Sequence, residues 1–189
     1  GTIIDGNQPE GTVGGDTIAN IFSEIRDDDQ VKAVVLRIDS PGGSAFASDV
    51  IRDAIAATRK NNIPVVVSMG SYAASGGYWI ATESDLVFAM STTITGSIGV
   101  FGVIPTFEDS LKALGIHSDG VGTTNISGMF QLDQPMSPEV GMIMQSGVEN
   151  VYTRFLKLVA NARNSTPSDI HKIAQGRVWT GEKALQLGL

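Results

Sequence analysis

Short apolar runs alternate with longer amphipathic segments along the first half of the chain. The runs Ala33–Ile38, Pro64–Met69 and Leu86–Met90 are rich in β-branched residues and bounded by polar or turn residues, which predicts buried strands. A segment capped by Asp16 and the segment 44–60 place their apolar residues at helical spacing. Strand, helix and strand in this order predict a parallel α/β sheet.

The last third of the chain has the pattern of successive helices. Ser137 precedes a proline at the first helical position, and Thr166 begins a second such cap. Thr180 begins a short final helix that Gly188 closes. Because no repeat or low-complexity segment divides the sequence, we expect residues 1–189 to form a single domain.

Composition excludes several classes of function. The 189 residues carry a net charge of −7, which disfavours nucleic acid as a partner. There are no cysteines and only two histidines, so disulfides, thiolate metal sites and a cysteine nucleophile are excluded and a multi-histidine metal site is not expected. No window is apolar enough to span a membrane. The chain begins directly with a predicted strand at residues 1–6, and we expect it to be a piece of a longer protein.

Two stretches rich in small residues follow the predicted strands. Residues 39–43 (DSPGG) place a glycine pair where strands of an α/β sheet end and ligands bind. Residues 71–79 (SYAASGGYW) combine small residues with a helix start, whose free N–H groups can stabilise an oxyanion. There Ser75 could be a nucleophile and the Gly76 N–H an oxyanion donor. A tight turn and a crowded helix–sheet contact explain the same residues without chemistry.

A third stretch, residues 92–100 (TTITGSIGV), contains Ser97, which could bond a catalytic partner or simply belong to a turn. A serine nucleophile needs an adjacent base. His117 is one candidate, since alternation places it with Asp119 on one face of a predicted strand, whereas His171 lies on a polar helix face. A buried neutral lysine is the other possible base, but no lysine has a buried pattern. The lysines are Lys32, Lys60, Lys112, Lys157, Lys172 and Lys183.

Four motifs in register resemble the signal peptide peptidase A family, also called protease IV. They are RIDSPGG at 37–43, SMGSYAASGGYWIA at 68–81, TGSIGV at 95–100 and GRVWTGEKALQLGL at 176–189. The resemblance covers essentially the whole chain and implies the Clp protease/crotonase fold of stacked strand–helix units. It also implies a membrane-anchored peptidase that uses a serine–lysine dyad to degrade signal peptides left in the membrane after secretion.

Carried over by motif, the family's nucleophile falls on Ser75 and its oxyanion donors on the N–H groups of Gly42 and Gly76. The serine that orients the lysine falls on Ser97. The lysine itself is missing, because the matching region, residues 123–134, contains none. Long members of the family have two tandem halves, and this chain resembles the carboxyl-terminal half, which takes its lysine from the amino-terminal half.

The resemblance further implies a homo-oligomer on the periplasmic side of the bacterial inner membrane, with apolar peptides as substrates and no cofactor or metal. Two other functions stay open at this point. A crotonase-like acyl-CoA enzyme would share the fold and the oxyanion turn, although a basic patch for the CoA phosphates is absent. A catalytically inert pseudo-protease or scaffold half would keep the fold and lack a base.

Overall fold

The computed structural model describes residues 1–124 and 126–189. The chain divides into two compact units: Gly1–Gly99 with Tyr152–Leu189, and Val100–Val151. Asn125, which belongs to the lysine-free segment 123–134, lies outside the described residues. None of the described helices combines the length and the apolarity that crossing a bilayer requires.

The first unit contains every described strand and most of the helices. Its elements are β1 (Ile3–Ile4), β2 (Val13–Gly14), α1 (Gly15–Asp27), β3 (Val34–Ser40), α2 (Ala45–Lys60), β4 (Val65–Ala74), α3 (Gly76–Ala81), β5 (Leu86–Phe88), β6 (Ile94–Gly96), α6 (Pro167–Ile173), β7 (Val178–Thr180) and α7 (Gly181–Leu187). The second unit contains α4 (Glu108–Ala113) and the first part of α5 (Pro138–Ala162), whose remainder belongs to the first unit.

The main sheet has the strand order β3-β4-β6-β7, and β5 lies beside the first half of β4. All pairings are parallel except that of β6 with β7. A separate parallel pair joins β1 to β2. The predicted α/β class with a parallel sheet is therefore confirmed, and short antiparallel β7 is an addition that the sequence pattern did not indicate.

One face of this sheet packs against helices and the other does not. Val65 and Val67 of β4 are 0% exposed, and Met69 is buried beside them. On the opposite face Val35 of β3 is 72% exposed and Leu86 of β5 is 58% exposed. The prediction that residues 86–90 form a buried strand was therefore wrong about burial, because β5 is a short strand whose Leu86 and Phe88 lie on an exposed face. The same prediction for residues 33–38 was right only in part, because Ile38 is buried whereas Ala33 and Val35 are exposed.

The helix boundaries follow the capping residues in most places. Ser44 accepts from the Ala47 N–H and begins α2, and Thr180 accepts from the Lys183 N–H and begins α7. Thr166 caps α6 in the same way. Asp16 is not the cap of α1, because that helix begins one residue earlier, at Gly15, and holds Asp16 in its first turn.

The segment around His117 was predicted as a strand that would place His117 and Asp119 on one face. Residues 116–120 instead form no regular element, and both side chains are exposed. The alternation there has no neighbouring strand to pair with among the described residues, so the pattern alone was not sufficient.

Candidate active site

The ends of β4 and β6 bring Ser75 and Ser97 to adjacent positions. The two strands are parallel, with Ala74 opposite Gly96, and each serine directly follows the last residue of its strand. The Ser75 N–H donates to the Gly96 carbonyl at 2.9 Å. Both serines are half-buried. The structure thus unites two of the residues that the sequence motifs singled out.

Ser75 has a backbone conformation that non-glycine residues rarely adopt. It stands at the amino-terminal cap of α3 with φ 51° and ψ −119°. Such a conformation costs on the order of 1–3 kcal/mol and persists only where the surroundings impose it. A serine on a sharp strand-to-helix turn with its hydroxyl exposed is the arrangement of a nucleophile elbow.

The turn after β3 lies directly against this serine. A β-carbon added at Gly42 would lie 2.7 Å from the Ser75 Cβ and 2.9 Å from the Gly76 nitrogen. A β-carbon added at Gly76 would lie 2.4 Å from the Ser48 Oγ and 3.3 Å from the Gly43 nitrogen. The glycine pairs of the two motifs therefore face each other, and the small residues permit this close approach.

The hydrogen bonds of the turn depart from the predicted oxyanion hole. The Gly42 N–H, a predicted donor, donates instead to the buried Ser40 Oγ at 3.1 Å. The Gly43 residue is exposed, and its N–H donates to no backbone carbonyl of residues 1–124 and 126–189. The same holds for the Gly76 N–H. The geometry therefore favours Gly43 over Gly42 as the partner of Gly76.

A bulge interrupts the pairing of β4 with β3 shortly before Ser75. Ile38 pairs with Met69 and Ser40 with Ala73, so three residues of β4 lie opposite the single residue Asp39. The Asp39 carboxylate accepts from the Tyr72 N–H at 3.0 Å. On the other side the Thr93 hydroxyl donates to the Gly70 carbonyl at 2.8 Å. Side chains from both neighbouring segments thus fix the bulge, a role that the sequence analysis did not recognise.

Ser97 is held by the segment between α6 and β7. Its φ is 49°, and its N–H donates to the Arg177 carbonyl at 2.8 Å. The next residue, Ile98, accepts from the Gly176 N–H at 3.0 Å. The GRVWTG motif contributed to the family resemblance, but its sequence gave no indication of these bonds.

No lysine of this chain is placed as a buried base. All six lysines are exposed, as the sequence pattern predicted. The Lys172 ammonium pairs with Asp169 at 2.7 Å, and that pairing lowers the pKa of the Asp169 carboxyl. None of the six lysines therefore has the burial that a neutral, proton-accepting lysine requires.

The histidine of the first unit, His171, is bonded to other residues through both ring nitrogens. His171 is exposed on α6, where its Nδ1 lies 2.9 Å from the Tyr152 hydroxyl and its Nε2 lies 3.0 Å from the Gln175 amide nitrogen. Both ring nitrogens are thus occupied. His117 is exposed and belongs to the other compact unit.

Helix α3, which begins directly after Ser75, contacts the carboxyl-terminal part of α5 and Arg163, the residue that follows α5. The Arg163 Nε donates to the Tyr78 hydroxyl at 3.1 Å, and the Trp79 and Phe155 rings are 4.8 Å apart. The Asp49 carboxylate accepts from the Trp79 indole and pairs with Arg154. Burial raises the pKa of the Tyr78 hydroxyl, which therefore stays neutral and serves as an acceptor for Arg163.

Comparison with solved structures assigns the fold. A ClpP1 mutant from Listeria monocytogenes matches with a TM-score of 0.60, covering 99% of this chain and 85% of that one at 15% sequence identity. The protein therefore has the Clp protease fold that the motifs implied. At this level of identity the likeness concerns the fold alone.

Sequence comparison gives the family. The chain belongs to Peptidase family S49, whose profile matches residues 57–189. "Protease 4" of Salmonella typhi is 53% identical over the whole chain, which spans 30% of that protein. "Putative signal peptide peptidase SppA" of Enterococcus faecium is 34% identical over 89% of the chain, which covers 49% of its length. The chain thus spans less than half of the length of these relatives.

Proposed function

We propose that this chain is the nucleophile-bearing part of a serine peptidase in which Ser75 attacks and a lysine from another domain is the general base. The observation that carries the proposal is the strained conformation of Ser75, φ 51°, at the junction of β4 and α3 beside Ser97. Strain of this kind clusters at functional sites. Membership of Peptidase family S49 supports the same conclusion.

The reaction would proceed in two stages. A neutral lysine amine, oriented by the Ser97 hydroxyl, takes the Ser75 proton while the Oγ bonds to the scissile carbonyl carbon. The resulting ammonium then gives its proton to the leaving amine as the peptide bond breaks and an ester to Ser75 remains. Water, deprotonated by the same amine, hydrolyses that ester and frees Ser75.

The oxyanion of each tetrahedral intermediate would be bound by two backbone N–H groups. We assign Gly76 and Gly43 to this role, with Gly42 as the alternative to Gly43. Gly42 would first have to give up its bond to Ser40, whereas Gly43 and Gly76 have no backbone acceptor within the described residues. Donors already aimed at the developing charge stabilise it without reorganisation.

The substrates would be unfolded apolar peptides with small residues at the cut, among them signal peptides. Tyr72 and Ile94 lie opposite each other, three positions before Ser75 and Ser97, and are 48% and 38% exposed. These side chains offer apolar contact to a peptide at the site. The net charge of −7 disfavours acidic peptides.

The partners would be an amino-terminal half that carries the lysine and further copies of the protein, on the periplasmic side of a bacterial inner membrane. Exposed apolar surface supports such contacts, since large patches of this kind mark interaction sites. In the second unit the most exposed large apolar side chains are those of Phe101, Val103, Leu114, Val121, Phe130 and Met142.

Labelling with a fluorophosphonate tests the proposal directly. The complete protein should be labelled once per chain and should hydrolyse an apolar peptide, and Ser75→Ala should lose both properties. Ser84→Ala removes a hydroxyl that bonds to the Ala81 carbonyl at the other end of α3 and should keep both. Normal turnover by Ser75→Ala would refute the assignment.

The same experiment separates the alternatives. An acyl-CoA enzyme would bind CoA in calorimetry and keep its activity without the Ser75 hydroxyl. An inert scaffold half would show neither labelling nor turnover, even in the complete protein with both halves present.

A further inference from the structure

The segment that holds Ser97 is itself a sharp reversal of the chain. It follows the end of α6 and includes Gln175 and Gly176, which both have left-handed backbones, with φ 61° and 74°. Ala174 beside them is completely buried. Two consecutive left-handed residues, one of them not glycine, do not persist without contacts that impose them.

Those contacts come from the side chains of Arg177, which precedes β7, and of Trp179 within β7. The carbonyl groups at the end of a helix have no partner within the helix. At the end of α6 the Arg177 Nη2 donates to the Lys172 carbonyl and its Nε donates to the Ala174 carbonyl at 2.9 Å. The Trp179 Nε1 donates to the Ile173 carbonyl at 3.0 Å. These bonds connect the three successive carbonyls of residues 172–174 to Arg177 and to Trp179 of β7.

The two side chains also support each other. The Arg177 guanidinium lies 5.8 Å from the centre of the Trp179 ring, a cation–π distance. The Trp179 indole in turn packs where Gly96 lacks a side chain, since a β-carbon there would lie 2.9 Å from the indole Cδ1. Because Gly96 directly precedes Ser97, the pair links the end of α6 to the backbone of Ser97, the serine predicted to orient the lysine.

We infer that Arg177 is a positioning residue for Ser97, acting through the backbone of its own reversal. Its guanidinium fixes the segment 174–177, so that the Arg177 carbonyl and the Gly176 N–H hold Ser97 and Ile98 from one side. Ser97 thereby keeps φ 49°, and its hydroxyl keeps one direction toward the incoming base. The inference rests on the proposed function, in which Ser97 orients a lysine.

This role requires the planar guanidinium of arginine, which can donate hydrogen bonds to two acceptors at once. Arg177 reaches two carbonyls from two different guanidinium nitrogens, and a lysine ammonium presents only one point charge on a flexible stem. Arg177→Lys should therefore behave nearly as Arg177→Ala does. A small misplacement of a catalytic group costs on the order of 100-fold in rate, and we expect a fall in kcat of that size with KM nearly unchanged.

The experiment measures kcat, KM and the rate of fluorophosphonate labelling of the complete protein for Arg177→Ala, Arg177→Lys and Ser97→Ala. If Arg177 acts through Ser97, adding Arg177→Ala to Ser97→Ala should lower kcat little further. Arg59→Lys is the control, since Arg59 bonds Glu83 and Asp85 at 3.3 and 2.8 Å in the same unit. It should lower the melting temperature and leave kcat unchanged.

Two outcomes overturn the inference, and a third overturns the proposed function instead. If Arg177→Ala keeps the wild-type kcat while Ser75→Ala is inactive, the positioning role is refuted. Full additivity of the Arg177 and Ser97 effects sinks it too, because the two residues would then act separately. Equal turnover by Ser75→Ala and the wild type refutes the nucleophile itself. If Arg177→Ala does not fold, Arg177→Lys, which keeps a long aliphatic stem and loses the paired guanidinium donors, decides by the same double-variant comparison.

Discussion

At the scale of single residues, Ser75 combines a proposed chemical role with a conformational cost. Its φ of 51° and ψ of −119° lie where glycine is the residue of lowest energy. The Gly42–Gly43 turn and the Gly96 carbonyl hold it there. A hydroxyl at this position is therefore kept at the expense of stability, which is the expected compromise at a catalytic residue.

Replacing Ser75 by glycine should stabilise the protein while it abolishes activity. Relief of strain contributes on the order of 1–3 kcal/mol, and the greater freedom of glycine in the unfolded chain offsets about 0.4–1 kcal/mol of it. We expect a net gain of about 1 kcal/mol in the free energy of unfolding, measured by denaturant titration. Ser75→Ala, which keeps the strain, should stay near the wild type. Loss of stability in Ser75→Gly would contradict the strained geometry.

Ser40 distinguishes the two candidate oxyanion donors. Its Oγ is buried and accepts from the Gly42 N–H. If Gly43 is the donor, Ser40 fixes the turn that orients the Gly43 N–H. Ser40→Ala should then lower kcat by at least about tenfold, but by less than the roughly 100-fold to 1000-fold that losing a donor outright costs. If Gly42 is the donor, the same change frees its N–H and should raise kcat instead.

A direct substitution at Gly42 cannot separate these cases, because any side chain there would press on the Ser75 Cβ. Thr58→Val is the better control for Ser40→Ala. It removes another buried hydroxyl, bonded to the Ala54 carbonyl in the last turn of α2. It should cost stability without changing kcat.

At the scale of elements, β4 is fixed at its start by a single carboxylate, far along the strand from Ser75. Its first residue, Val65, donates its N–H to the Asp85 carboxylate at 2.8 Å, and the same carboxylate pairs with Arg59 of α2 at 2.8 Å. The bond from Arg59 is the main cause that lowers the pKa of the Asp85 carboxyl. One carboxylate thus ties the start of β4 to α2 and to the start of β5.

The contribution of Asp85 should depend on pH with a definite sign. Since its pKa is lower in the folded protein than in the unfolded one, its stabilisation is present above the unfolded value, about 3.9, and is lost as pH falls through the folded value. Asp85→Ala should reduce the free energy of unfolding by about 1 kcal/mol at pH 7, since its side chain is partly exposed. The loss should shrink toward pH 2.5.

Urea unfolding at the two pH values measures this difference. Asp53→Ala is the control, because Asp53 is 66% exposed and meets only Arg52, its neighbour on the same helix. It should change stability little at either pH. An Asp85→Ala loss that stays constant between the two pH values would show that the carboxylate acts by packing rather than by charge.

The sequence predicted these elements where the local physics decides the outcome. The caps at Thr166 and Thr180 satisfy N–H groups a few residues away, so the residue pattern alone located α6 and α7, and helical spacing located α2. It failed where distant segments decide. The apolar run of β5 is not buried, since burial depends on what covers a sheet face. The rule for apolar runs could not supply that information.

The candidate site shows the same division. The glycines and serines of the motifs came together because sequence identity with a family carries the arrangement with it. The bond from the Tyr72 N–H to Asp39 joins segments far apart in sequence. The bond from the Gly42 N–H to Ser40 and the bonds of Arg177 to the end of α6 are short-range, but they need turn conformations that the residue pattern did not predict. None of these contacts leaves a local pattern, so only the structure reveals them.

At the scale of the whole molecule, the described residues offer no buried lysine to act on the proposed nucleophile, Ser75. The six lysines are all exposed, and the segment 123–134, where shorter members of the resembled family carry the lysine, has none. His171 is occupied by Tyr152 and Gln175, and His117 lies in the other compact unit. A serine hydroxyl is a weak nucleophile without an adjacent base, and the proposed base is the lysine of another domain.

We therefore expect the isolated 189-residue chain to be inert or nearly so. Turnover of an apolar peptide ester and the labelling rate of Ser75 should both stay at background, although circular dichroism should show a folded α/β chain. Adding the lysine-bearing half should restore turnover, with a rate that rises toward alkaline pH as the lysine loses its proton. Replacing that lysine by alanine in the added half should remove the effect. Robust turnover by the chain alone, abolished by His117→Ala, would replace the serine–lysine dyad with a histidine-based mechanism.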